Sequence, residues 1–97
     1  MTPASIPDSA AVVVAPGVLS SAFDEGFVIL NPDTGIYYEL DQVGARIWES
    51  LKRPVSVGSI AERITADYDV DRARCERDIR ALLRHLLAKG LVRVAVA

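Results

Sequence analysis

In the run GIYYELDQVGARIWESL, from Gly35 to Leu51, the apolar spacing changes from the period of a strand to that of a helix. Ile36-Tyr37-Tyr38-Glu39-Leu40 is β-branched and aromatic and follows turn-forming residues, which predicts a strand. From Asp41 onward the apolar positions are Val43, Ile47, Trp48 and Leu51, one face of a helix over Asp41–Leu51. Asp41 stands where an N-cap belongs, its carboxylate able to accept the first free helix N–H groups. Strand and helix therefore meet without a loop.

Upstream, Ala11 to Ala15 is apolar and β-branched, Pro16-Gly17 interrupts it, and Val18 to Phe23 resumes the same first strand. Asp24-Glu25-Gly26 makes a turn. Phe27-Val28-Ile29-Leu30 is a continuous apolar strand with neither face fully wet. Asn31-Pro32-Asp33-Thr34-Gly35 is a hairpin connection: Pro presets φ and the Asx side chains bond the local backbone. The first half is thus a three-stranded antiparallel meander. Downstream, Ser56 caps a second helix that buries Ile60 and Ile64. Asp71 caps a third, running to about Lys89, with Cys75, Ile79, Leu82, Leu83, Leu86 and Leu87 on its apolar face. Gly90 stops that helix, and Leu91 to Val96 adds a last strand. The predicted class is α+β: a winged-helix-like outline in which a three-stranded antiparallel sheet precedes three helices. Residues 1–10, with Pro3 and Pro7, form a flexible N-terminus, and residues 11–97 form a single domain.

Composition narrows the function. The 97 residues carry a net charge of −2 and are 51% hydrophobic and 25% charged, which argues against non-specific nucleic-acid binding. One cysteine rules out an internal disulfide and suits the cytoplasm. Neither a membrane span nor a signal-peptide layout is present. Catalysis finds no support in the residues. His85 is the only histidine, and ten helical residues set it about 15 Å from Cys75, too far to share a metal ion. Cys75 lies on the apolar face, as a small core residue does. No glycine-rich phosphate loop occurs, and no cofactor is implied. A DNA-reading third helix would need Arg77, Arg80 and Arg84 as a bare basic face, but Glu76 supplies an i, i+4 partner for Arg80.

Two features point elsewhere. Asp71, Arg74, Asp78, Leu82 and His85 advance by three or four residues along one border of the third helix, a mixed rim suited to an extended polypeptide unless these are ordinary boundary residues that shield the core. The strand Ile36–Leu40 is a sheet edge with neither Lys nor Pro to protect it. An open edge beside such a rim is what β-augmentation requires, unless the edge is covered by the C-terminal strand or by a second copy of the protein.

The ordered set Tyr38-Glu39-Leu40-Asp41, Gly44, Ile47-Trp48 and Leu51 resembles the PqqD-like family. So do Pro54-Val55-Ser56-Val57, Ile60-Ala61, Ile64, Tyr68-Asp69-Val70, Asp78-Ile79, Leu82-Leu83, Leu86 and Gly90-Leu91-Val92. The likeness runs from about Gly17 to Val94. It implies a leader-peptide recognition domain for ribosomally made, modified peptides, in which the leader adds to the third strand and lies against the third helix. Carried over, the binding residues are Ile36, Tyr37, Tyr38, Glu39, Leu40, Arg74, Cys75, Asp78, Ile79, Leu82 and His85. The implied function is a non-catalytic adaptor that delivers a precursor peptide to a leader peptidase or other modifying enzyme. The nearer likeness is to the discrete proteins of lasso-peptide biosynthesis; the alternatives are a peptide chaperone of pyrroloquinoline quinone synthesis and a small winged-helix regulator. The expected partners are the leader peptide and that enzyme, with neither nucleic acid nor membrane.

Overall fold

The computed structural model describes residues 10–24 and 26–95. Strands β1 (Ala11–Val14), β2 (Leu19–Phe23), β3 (Gly26–Asn31) and β4 (Ile36–Leu40) lead into α1 (Gln42–Ser50). They are followed by β5 (Val55–Ser56), α2 (Val57–Asp67), α3 (Arg72–Ala88) and β6 (Val92–Ala95). The expectation for residues 1–10 falls outside the described residues except at Ala10, which packs against the core.

All three predicted N-caps are in place. Asp41 accepts from the Gly44 N–H at 2.8 Å, Ser56 from Ser59 at 3.2 Å and Asp71 from Arg74 at 3.0 Å. Each satisfies a helix N–H that would otherwise lack a partner. At the far end of α3, Gly90 takes a φ of 73°, open to glycine at little cost. Its N–H donates to the Leu87 carbonyl and that of Leu91 to Leu86, a Schellman closure with Leu86 and Leu91 both buried.

The meander is present as β2–β3–β4, antiparallel throughout, with Leu30 opposite both Leu19 and Tyr37. Gly26 lies so close to the Leu40 carbonyl that a Cβ there would collide with it, which fixes how β4 passes into α1. The first strand departs from expectation. Pro16-Gly17 does not bulge one strand but parts it into β1 and β2, which join different sheets. Gly17 turns the chain with a φ of 82°. The Val14 and Ala15 N–H groups then donate to the carbonyls of Leu51 (2.9 Å) and Leu91 (3.1 Å), tying β1 to the helical half. There it becomes the centre of a second antiparallel sheet, ordered β5-β1-β6. The C-terminal strand therefore pairs with β1 and not with β4.

The core lies between the second sheet and the three helices. Val12 and Val92 meet Trp48 and Leu51 of α1, Ile60 and Ile64 of α2, and Ile79, Leu83 and Leu86 of α3, all nearly or fully buried. Burial of each such side chain contributes about 1.5–3 kcal/mol. The meander enters this core only through Ile29 and Leu40, with Phe27 and Tyr38 packed at its margin.

Candidate functional site

Because the pleat alternates, Ile36, Tyr38 and Leu40 of β4 share one side and Tyr37 and Glu39 the other. Leu40 is buried, Tyr38 half-buried, and Tyr37 62% exposed on the outer face. Among the described residues β4 pairs only with β3, so the main-chain groups along its other edge have no strand partner. Since α1 begins at once after Leu40, the edge continues directly into the crevice between α1 and α3.

That crevice holds two adjoining clefts. The one beside the sheet, about 530 Å³, is bounded by Tyr38, Glu39 and Leu40 of β4, by Val43 and Ile47 of α1, and by Asp78 and Leu82 of α3. The other, about 430 Å³, lies toward the start of α3, with Ile64, Cys75 and Ile79 beneath it and Val70, Asp71 and Arg74 around it. Val43, Ile47 and Asp78 line both, so the two form one groove along the antiparallel pair of β4 and α3. At its sheet end the Lys89 ammonium sits 5.9 Å from the centre of the Tyr38 ring, within cation–π range. The Asn31 amide donates to the Gly90 carbonyl at 3.5 Å and ties the hairpin to the end of α3.

The groove has an apolar floor and an acidic rim. Asp69, Asp71 and Asp78 face one cation, Arg74. Asp71 is engaged as the helix cap, whereas neither Asp78 nor the Arg74 guanidinium has a side-chain partner among the described residues. Both can therefore meet a ligand without first breaking a bond. Burial, with the Asp78 carboxylate adding to it, pushes the Cys75 thiol above its ordinary value and keeps it neutral. Among the described residues no three His, Cys, Asp or Glu side chains are placed to hold a metal ion. No helix there is long and apolar enough to cross a membrane.

Of the residues expected at the site, Tyr38, Glu39, Leu40, Arg74, Cys75, Asp78, Ile79 and Leu82 come together on the groove. Ile36 and Tyr37 do not line it, although Ile36 shares the Tyr38 and Leu40 side of β4. His85 sits apart, in a shallow depression with Ala81, Arg84 and Ala88. Sequence reasoning missed Val43, Ile47 and Val70. Val43 shares the apolar face of α1, yet it is 42% exposed and opens onto both clefts. Val70, an apolar residue between Asp69 and Asp71, was the available signal for the rim. On the arginine-rich side of α3, Glu76 ion-pairs with Arg72 at 2.7 Å and with Arg80 at 3.2 Å.

The sequence profile of the family described as Coenzyme PQQ synthesis protein D (PqqD) matches residues 26–92. No curated protein matches the chain. Among solved structures, TbiB1 in complex with the TbiA(beta) leader peptide is 38% identical with a TM-score of 0.79, over 88% of this chain and 99% of that one. A lasso peptide synthetase B1 complexed with the leader peptide is 30% identical with a TM-score of 0.75, over 84% and 96%. The PqqD portion of Methylobacterium extorquens PqqCD, solved by solution NMR as a stand-alone recognition element for ribosomally synthesised and modified peptides, is 27% identical with a TM-score of 0.79, over 96% and 99%.

Proposed function

The chain belongs to the PqqD family, and from that premise we propose that it is a non-catalytic adaptor for the leader of a ribosomally synthesised precursor peptide. The leader adds as a fourth strand to β4, and its apolar side chains enter the groove between β4 and α3. The bound precursor is then handed to a leader peptidase or other modifying enzyme in the cytoplasm. The observation that carries this reading is the continuity of an open strand edge with an apolar groove through Val43, Ile47 and Asp78. Main-chain bonds along β4 supply affinity for any extended chain, and the clefts choose among side chains.

Asp78 and Arg74 set the register through charge-assisted bonds to the leader. A lasso-peptide precursor is favoured, because the two relatives at 30% identity or more are both B1 proteins solved with leader peptides. The PqqD likeness keeps a chaperone of pyrroloquinoline quinone synthesis as the second reading.

Calorimetric titration with the leader half of a precursor encoded beside this chain tests the proposal. Saturable binding to the wild type, weakened about tenfold or more by Asp78→Ala at unchanged thermal stability, is the expected result. Equal affinity for a scrambled leader would rule the reading out.

A further inference from the structure

The meander has a second open edge, on the side away from the groove. All five residues of β2, Leu19-Ser20-Ser21-Ala22-Phe23, are exposed, Leu19 by 58% and Phe23 by 67%. Among the described residues β2 pairs only with β3, and it contains no charge, proline or bulge of the kind that normally blunts an edge. Its two large apolar side chains stand at opposite ends with small residues between them. Leu19, Ser21 and Phe23 share the outer face, in line with Leu30 and Val28 across the ladder.

From this arrangement we infer that β2 is a homotypic edge, at which a second copy of this chain pairs antiparallel about a two-fold axis through Ser21. An isologous contact must be self-complementary, and this strand is. With Ser21 opposite its own copy, Leu19 of one protomer meets Phe23 of its partner at both ends, and Ser20 meets Ala22. A slip of one residue would set the outer face of one sheet level with the core-facing side of the other. No like charges oppose each other along the strand. The product is a six-stranded sheet, β4-β3-β2 continued by its two-fold copy, with the two β4 edges outermost and still open. One strand edge of about 17 Å buries far less than the roughly 800 Å² per partner of a stable interface. The dimer is therefore weak and reversible.

Sedimentation equilibrium over roughly 10 μM to 1 mM tests it, using the full chain and two double variants. L19K/F23K puts like charges opposite each other at both ends and should weaken association about tenfold or more. L19K/F23E puts opposite charges there and should dimerise in low salt and dissociate as salt is added. Both positions are exposed, so circular dichroism and melting temperature should not change. A wild type that stays monomeric at 1 mM overturns the inference. So does a dimer lost equally in both variants, which would assign the exposed side chains to some other partner.

Discussion

The two sheets have the same strand count and opposite characters. In β5-β1-β6, Val12 and Val92 are buried against all three helices, and main-chain bonds from Val14 and Ala15 tie the sheet to the ends of α1 and α3. In β2–β3–β4 only Ile29 and Leu40 reach the core, while Leu19, Phe23 and Tyr37 face outward and Ile36 is partly exposed. The first sheet holds the domain together. The second is held by the domain and presented, anchored through the Leu40–Asp41 joint and the Asn31–Gly90 bond. A small protein that binds by strand addition needs this division, because an edge that accepts a guest cannot also be covered by its own chain.

Substitutions in the two sheets should therefore differ most. Val12→Asp buries an unpaired charge and is expected to cost several kcal/mol, enough to unfold the chain in a thermal melt. Tyr37→Asp, on the outer face of the other sheet, should change stability by no more than about 0.5 kcal/mol. Comparable melting losses from the two would erase the distinction. Next in size is Val43→Glu, which sets a charge midway along the groove. Leader affinity should fall about tenfold or more with the fold intact, whereas full affinity would mean that the groove is not the site.

Asp71→Ala should cost about 1 kcal/mol of stability by uncapping α3, while Asp78→Ala, two rim positions further on, should cost affinity and not stability. Paired melts and titrations separate the two roles. The smallest effect concerns pH. Cys75 has its thiol raised in the fold, so its contribution is intact below the ordinary thiol value and lost as pH rises from there toward the raised one. Denaturant titrations of wild type and Cys75→Ala at successive alkaline pH values should converge, and parallel curves would remove the thiol from the account.

Local chemistry made much of this legible. Asp41, Ser56 and Asp71 each announced a helix start, Gly90 announced a stop, and the change of period at Leu40 placed the joint that aims β4 along the groove. The rim Asp71–Arg74–Asp78–Leu82 followed from helical spacing alone. The division of Ala11–Phe23 between two sheets did not, because β1 is claimed by partners some 80 residues away, such as Ala95 opposite Ala11. Short apolar strands carry no mark of which distant strand will pair with them. Val43 was misplaced for a related reason. Its helix face is buried at Ile47, Trp48 and Leu51, but in the first turn of α1 Val43 opens onto the groove. His85 continues the rim in spacing, yet it opens on a separate depression with Ala81, Arg84 and Ala88.

Backbone amide shifts during titration of isotopically labelled protein with the leader peptide test the central claim most directly, since they report the edge and the groove together. The account predicts large shifts along Ile36–Leu40 and at Val43, Arg74, Cys75, Asp78 and Leu82, with β1, β5 and β6 nearly unmoved. Shifts confined to β2, or to Arg77 and Arg84 on the far side of α3, would contradict it.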